Sequence, residues 1–295
     1  MKQNVANLLA TRMRWRRAPH EGVGMKVAII DCSVTKSNLP GRIPKDISGR
    51  LERVLASEEM NSSRISQFYR KQAQGFSDSS GAGVKVEVTK LSELCAFSPK
   101  NCDAIIIPDS YYTPTQEAEN GNDLMKMLLE AVREAHAMGK PILGVCFGHE
   151  AIGAAFGQYP VPCLSGDFRS IGYMKIEMNG SDLVLAGMPR ESYGMFNHRY
   201  YLRYGPKDSV KIVSSGKSGT LAAFRLGAAT YGFQFTLDYT PQELVARAEL
   251  YAPEAELNGQ FTRIPGFFSN YIGKGVEEQN KLIVGNFLKI AAGKI

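Results

Sequence analysis

The feature that most constrains this chain is a cysteine placed between an apolar run and a helical segment. Residues 140–145 (KPILGV) have the apolar character of a buried strand, and residues 147–156 have helical spacing. Between them, residues 144–148 (GVCFG) give a small–x–nucleophile–x–Gly pattern, in which the glycines relieve crowding in a tight turn. The alternative is an ordinary buried cysteine, but the flanking strand and helix favour a nucleophile. The pattern therefore predicts Cys146 at a helix N-terminus that stabilises a thiolate, with the N–H of Phe147 facing a developing oxyanion.

The same alternation of strands and helices extends along the chain. Predicted strands lie at 25–31, 84–88, 103–108 and 140–145, and predicted helices lie at 44–75 (two helices), 120–138, 147–156 and 277–292. Ser77–Gly83 reads as a flexible break, and short strands with turns fill residues 165–237. Strands that alternate with helices predict an α/β fold: a mostly parallel, doubly wound sheet with flanking helices and a small antiparallel extension.

The domain prediction has two parts. Residues 1–24 form a basic leader, interpreted as flexible or as preceding a true start at Met25, in preference to a tail that touches phosphate or membrane. Residues 25–295 form a single domain with insertions near 34–82 and 252–273. The second insertion is aromatic-rich and is a candidate lid or partner surface.

Charge and cysteine usage exclude several classes of function. Residues 1–24 carry five basic side chains against Glu21, so the rest of the chain carries only +2 of the total +6. A nearly neutral body argues against a nucleic-acid binder, and no apolar run is long enough to span a membrane. Five scattered cysteines predict reduced thiols in a cytoplasmic protein, and without paired His/Cys spacing no metal site or cofactor is expected.

Several segments resemble the class I glutamine amidotransferases and the related γ-glutamyl peptidases and hydrolases. They are KPILGVCFGHEAIGAAFG, which contains the predicted strand-to-helix turn at residues 144–148 (the elbow), DAIIIPDS, IGYMKIEM, LAGMP, GMFNHRYY, TYGFQFTLDYTPQEL and VGNFLKIA. The resemblance covers roughly residues 25–292. It implies that Cys146 attacks the side-chain amide of glutamine and forms a glutamyl thioester, while a histidine oriented by a glutamate moves the protons.

The sequence departs from this family at the acid–base pair. Where the family has Gln-Phe-His-Pro-Glu, this chain has QFTLD, so Thr236 replaces the histidine and Asp238 replaces the glutamate. A threonine hydroxyl has no useful proton affinity near neutral pH. Ser110, in Pro108-Asp109-Ser110, stands where the family has an oxyanion glycine. Glu150 replaces a substrate-binding glutamine and would favour a cationic group.

Three histidines remain as candidate bases. His136 is interpreted as a surface or packing residue, and the resemblance implies that His149 packs under the nucleophile. His198 lies in the segment that lines the family's glutamine pocket and is the candidate base, with a structural hydrogen bond as the alternative. Next to it, Arg199 and Tyr200 belong to a polar-aromatic cluster that either binds a substrate carboxylate or forms a solvated strand.

Two functions from different classes follow. The first is a cysteine enzyme acting on a glutamine or γ-glutamyl-type amide through a Cys146 acyl-thioester with an altered base, as an amide hydrolase, amidotransferase or acyltransferase. It implies a small-molecule amide substrate and a separate synthetase or acceptor subunit, for which 252–273 is the candidate contact. The second is a catalytically impaired pseudoenzyme that acts as a regulatory or scaffolding subunit. The retained elbow favours the first, and the lost His/Glu pair favours the second.

Overall fold

The computed structural model describes most of the chain after the leader. Its described residues are 24–33, 51–110, 112, 114, 123–163, 170–179, 181–215, 220–244, 247 and 270–295, with the main chain alone described for 51–61, 170 and 270–274. The predictions on residues 1–23 and 252–269, and on 34–50 of the first insertion, lie outside these ranges.

Strands and helices alternate through the first half of the chain. The elements are β1 (Met25–Asp31), α1 (Leu51–Ser80), β2 (Val84–Lys90), β3 (Ala104–Ile107), α2 (Asp123–Ala137), β4 (Ile142–Val145), α3 (Phe147–Ala155), β5 (Val161–Pro162), β6 (Ser170–Met178), β7 (Glu191–His198), β8 (Tyr200–Tyr201), β9 (Val210–Ser215), β10 (Thr220–Leu226), β11 (Thr230–Phe233) and α4 (Asn270–Ala291). Short 3₁₀ helices lie at Leu91–Ala96, Pro99–Asn101 and Leu183–Leu185.

The described strands form one large sheet and a small ladder. The large sheet has the order β2-β1-β3-β4-β11-β10-β9-β6-β7. Strands β2, β1, β3, β4 and β11 run parallel, and the pairs from β11 through β10, β9 and β6 to β7 are antiparallel. Strands β5 and β8 pair separately. The expected parallel sheet with an antiparallel extension is therefore confirmed.

The parallel strands have apolar residues on both faces because helices cover each side. Alternate residues of β1 enter two cores: Val27 and Ile29 pack with α1 and α4, whereas Ala28 and Ile30 pack with α2 and α3. This is the pattern expected of a buried parallel sheet. None of the helices within the described ranges is long and apolar enough to cross a lipid bilayer.

Helix α1 differs from its sequence prediction. One helix from Leu51 to Ser80 replaces the two expected over 44–75, and it continues into the predicted break at Ser77–Gly83 before Gly81 turns the chain with φ 68°. Its buried residues, Ile65, Tyr69, Ala73 and Phe76, recur at helical spacing and place one face of the helix in the core. At the other end of the chain, α4 begins at Asn270, inside the segment expected to be irregular.

Candidate functional site

Cys146 lies at the carboxyl end of β4 in a backbone conformation that few residues other than glycine adopt. Its φ is 51° and its ψ is −101°, and it is the residue that precedes α3. Its N–H donates to the carbonyl of Phe233 over 2.7 Å, which ties the turn to β11. A residue held in such a conformation costs about 1–3 kcal/mol and persists only where its surroundings impose it.

Two glycines make this turn possible. A Cβ on Gly144 would lie 2.4 Å from the carbonyl oxygen of Gly148, and a Cβ on Gly148 would lie 2.0 Å from the carbonyl oxygen of Ile107. Both contacts are with main-chain atoms, which cannot rotate away. The motif therefore uses glycine because α3 packs directly onto β3 and β4.

The Cys146 thiol is enclosed. The residue is 4% exposed, and its Sγ–H donates to the main-chain carbonyl of Asn197 over 3.7 Å. Strand β7 thus reaches the Cys146 thiol through Asn197, the neighbour of His198. Phe147, the first residue of α3, is buried, and its N–H is among those that a helix leaves unused within itself.

His149 is fully buried beside this turn. Its ring lies 5.0 Å from the ring of Phe224, and a Cβ on Gly232 would lie 2.8 Å from its Nδ1. Burial lowers the pKa of His149 to about 3; a hydrogen bond with the Gly232 main chain opposes this shift, and the nearby His198 adds to it. His149 is therefore neutral and packed at physiological pH.

Thr236 occupies a fully buried position in the segment after β11. Its N–H donates to the Met195 carbonyl over 2.7 Å, and its hydroxyl donates to the same oxygen over 3.2 Å. Its own carbonyl accepts from Asn280 Nδ2 over 3.1 Å. Thr236 thus joins residues 234–239, here called the closing segment, to β7 through its hydroxyl and to α4 through its main-chain carbonyl.

Asp238 is also buried, and its main partner comes from a distant helix. Arg64 of α1 donates to the Asp238 carbonyl, contacts Asp238 Oδ2 at 3.5 Å and pairs with Glu243 at 2.9 Å. Burial raises the pKa of Asp238 to about 6; Arg64 opposes this shift, and the negative charge of Asp109 adds to it. The carboxylate that replaces the family's glutamate is thus committed to an ion pair with α1.

A chain of hydrogen bonds connects Asp109 to the residue that contacts the thiol. The hydroxyl of Tyr239 donates to Asp109 Oδ2 over 2.8 Å and accepts from Asn197 Nδ2 over 3.3 Å. The Arg64 guanidinium lies 4.7 Å from the centre of the Tyr239 ring. Sequence reasoning did not identify Arg64, Asn197 or Tyr239. Tyr239 is adjacent to Asp238, but nothing in the sequence indicates that Arg64 would meet them.

The main-chain amide of Ser110 is already hydrogen-bonded. It donates to Asp109 Oδ1 over 2.8 Å, and the Ser110 hydroxyl donates to the Cys32 carbonyl. Glu150, in the first turn of α3, is 4% exposed and accepts from Gln234 Nε2 over 3.4 Å. Both residues thus lie near the elbow with protein partners.

His198 ends β7 and is tied to the next residues of the chain. Its Nδ1 lies 2.7 Å from the carbonyl oxygen of Tyr200 and 3.4 Å from Cys163 Sγ. A carbonyl oxygen can only accept, so Nδ1 carries the proton and Nε2 carries the lone pair. Arg199 and Tyr200 are half-buried at the β5–β8 ladder, where the Arg199 carbonyl accepts from Cys163 N–H over 2.8 Å.

Within the described ranges, no group of three or more His, Cys, Asp or Glu side chains could hold a metal ion.

The parallel sheet and the strained cysteine between β4 and α3 define an α/β protein of the nucleophile-elbow type. The family model for glutamine amidotransferase class-I matches residues 72–244. This match covers more than half of the chain, so the chain belongs to the class I glutamine amidotransferase family, as its sequence predicts.

The relatives found by sequence are larger proteins. GMP synthase [glutamine-hydrolyzing] of Clostridium kluyveri is 27% identical over 106 residues, and the matched region is 35% of this chain and 20% of that protein. GMP synthase [glutamine-hydrolyzing] of Aeropyrum pernix is 26% identical over 110 residues, with 36% and 20% covered. The chain thus matches about a fifth of the length of these relatives.

Solved structures agree on the fold. A glutamine amidotransferase from Thermotoga maritima superposes with a TM-score of 0.60 at 14% identity, covering 92% of this chain and 99% of that one. A glutamine amidotransferase from Methylobacillus flagellatus gives a TM-score of 0.59 at 14% identity, with 90% and 94% covered. The expected fold class is therefore confirmed.

Proposed function

We propose that this chain is a cysteine enzyme that forms an acyl-thioester between Cys146 and a glutamine or γ-glutamyl-type amide. The observation that carries the proposal is the strained elbow, in which Cys146 has φ 51° at the N-terminus of α3. That conformation opposes folding by about 1–3 kcal/mol, and serine and cysteine nucleophiles are held in such turns. The similarity to GMP synthase [glutamine-hydrolyzing] supports the choice of amide.

His198 is the base in this proposal, since position 236 holds a threonine. The carbonyl of Tyr200 fixes the proton on Nδ1 and so takes the orienting role that a carboxylate has in other triads. Its neighbour Asn197 contacts Cys146 Sγ, which brings the candidate base to the edge of the site. Thr236 and Asp238 are then structural residues instead of catalytic ones.

The chemistry has two half-reactions. Cys146 Sγ loses its proton to His198 Nε2 and attacks the amide carbon, so that a C–S bond forms while the N–H of Phe147 stabilises the oxyanion. The C–N bond then breaks, and the leaving nitrogen takes the proton from His198 and departs as ammonia or an amine. Water or an acceptor amine finally opens the thioester.

We propose that Glu150, Arg199 and Tyr200 bind the polar ends of the substrate and that a synthetase or acceptor subunit uses the released nitrogen.

A second candidate is a pseudoenzyme that serves as a regulatory or scaffolding subunit. Three contacts favour it. The Thr236 hydroxyl is bonded to Met195, Asp238 is paired with Arg64, and the Ser110 amide donates to Asp109 instead of pointing at a substrate oxygen. The usual acid–base and oxyanion positions thus have structural partners.

The two candidates are separated by incubating the purified protein with glutamine and measuring released ammonia and intact mass. The enzyme proposal expects ammonia or a mass adduct on Cys146, lost in Cys146→Ala and reduced in His198→Gln. Cys95→Ala, which removes an exposed thiol, is the matched control and leaves both signals unchanged. If wild type gives neither ammonia nor an adduct, with glutamine and with a γ-glutamyl amide, the enzyme proposal is rejected in favour of the scaffold.

A further inference from the structure

Cys163 is a second thiol held against the imidazole of His198. Its Sγ lies 3.4 Å from His198 Nδ1 and 3.8 Å from the His198 carbonyl oxygen. The β5–β8 ladder fixes this approach, because Val161 pairs with Tyr201 and Cys163 N–H donates to the Arg199 carbonyl. The thiol and the ring are thus positioned by main-chain pairing on both sides.

The position of the His198 ring proton determines how the imidazole affects the Cys163 thiol. The Tyr200 carbonyl, 2.7 Å from Nδ1, requires a donor at that nitrogen, so the ring atom that lies 3.4 Å from Cys163 Sγ carries a proton. Sulfur is a weak acceptor as a thiol and a strong one as a thiolate. A donor fixed at this place therefore stabilises the thiolate of Cys163, and more so when the ring is an imidazolium.

Two neighbours of the ring within the described residues add no charge to it. Phe196 packs on it with ring centres 5.6 Å apart, and His149 is kept neutral by burial.

The other described thiols have different surroundings. Burial raises the pKa of Cys32 well above its usual value and raises that of Cys102 to about 11. Cys146 is buried against a carbonyl, and Cys95 is exposed. Cys163 combines partial exposure with an imidazole donor, which are the two conditions that make a cysteine reactive.

We propose that Cys163 and His198 form a thiol–imidazole pair that makes Cys163 a modification site for hydrogen peroxide and similar soft electrophiles. The Cys163 thiolate attacks one peroxide oxygen, an S–O bond forms and the O–O bond breaks. Sulfur is oxidised to sulfenic acid, peroxide is reduced, and the departing hydroxide takes a proton to become water. Because His198 is shared, this modification changes the hydrogen bonding of the proposed base.

The test measures thiol reactivity in the full-length protein. Limiting iodoacetamide is added at neutral pH, and the alkylation rate of each cysteine is read by peptide mass spectrometry, with Cys95 as the internal reference. Cys163 is expected to react roughly tenfold faster than Cys95, although it is less exposed. In His198→Gln the Cys163 rate falls to that of Cys95, while the Cys95 rate and the circular dichroism spectrum stay unchanged.

A second measurement guards against a folding defect in that variant. Wild type treated with hydrogen peroxide is expected to gain a dimedone adduct on Cys163, and Cys163→Ser is expected to lose it. The inference is overturned if Cys163 in wild type reacts no faster than Cys95 and gives no dimedone adduct. These readouts do not use Cys146, so a failed glutamine reaction and a failed Cys163 prediction are separate results.

Discussion

The elbow around Cys146 and the closing segment around Thr236 both contact β7 but are held in place in different ways. At the elbow the main chain is strained and crowded: φ of Cys146 is positive, and a Cβ on either glycine would meet main-chain atoms. In the closing segment the backbone still pairs with β7 through Met195 and Thr236, but the side chains make structural contacts. A strained turn depends on particular residue types, whereas an acid–base position can be filled by any side chain that satisfies its buried surroundings.

The network behind the closing segment explains how it holds together without the family's pair. Arg64 joins Asp238 and Glu243, and Tyr239 joins Asp109 to Asn197. Buried charges need partners, and here the guanidinium of α1 supplies one. In the closing segment, pairing with Arg64 thus offsets part of the cost of a buried carboxylate, whereas the elbow depends on close packing.

The largest effect is expected at the elbow. Gly148→Ala places a methyl group against the carbonyl of Ile107, and we expect it to lower the free energy of unfolding by about 3 kcal/mol or more. Gly75→Ala is the matched control: Gly75 lies in α1 with no atom near its Cβ position, and this change should stabilise by about 0.5–1 kcal/mol. Urea unfolding measures the stability of both variants. If Gly148→Ala is as stable as wild type, the crowding at the elbow is contradicted.

The next effect concerns Arg64. Arg64→Met leaves the Asp238 carboxylate buried without its guanidinium, and we expect a loss of about 2–3 kcal/mol at neutral pH. Arg70→Met, which removes an exposed guanidinium that bonds the Val86 carbonyl, should cost less than about 1 kcal/mol. The double variant Arg64→Met/Asp238→Asn should lose less than Arg64→Met alone. If the double variant loses as much stability as the two single variants together, the ion pair is not the source of the loss in Arg64→Met.

The pH dependence of stability tests Asp238 itself. Its pKa is about 6 in the folded protein and about 3.9 in an unfolded chain, so the folded state binds the proton more tightly. The free energy of unfolding therefore falls as pH rises from about 4 to about 6, by about 2–3 kcal/mol from this group. Asp238→Asn should remove this fall, whereas Asp123→Asn, at an exposed carboxylate, should keep it. If the free energy of unfolding falls with pH as steeply in Asp238→Asn as in wild type, the raised pKa of Asp238 is contradicted.

The smallest effect is expected at Thr236. Thr236→Val keeps the shape of the side chain but removes the hydrogen bond to Met195, so we expect a loss of about 1 kcal/mol. Because Thr236 is structural in our proposal, adduct formation on Cys146 should be unchanged, as measured by intact mass. An adduct that disappears while stability is retained would place Thr236 in the chemistry and weaken the contrast between the two regions.

Much of the fold follows from local patterns in the sequence. The apolar runs at β1, β3 and β4 predict buried strands because residues covered on both faces must be apolar throughout. The GVCFG pattern predicts the elbow because few other sequences fit so tight a strand-to-helix turn. The length of α1 was predicted less well, since the last turn before Gly81 carries polar residues that suggest a loop.

The partners of the site residues were decided by the tertiary structure alone. The sequence resemblance predicts that a threonine and an aspartate stand where the family has a histidine and a glutamate. It does not show that Arg64, 174 positions before Asp238, pairs with that carboxylate, or that Cys163 meets His198. Local spacing determines secondary structure and turns, whereas these contacts depend on how distant segments pack over the sheet, which no short pattern encodes.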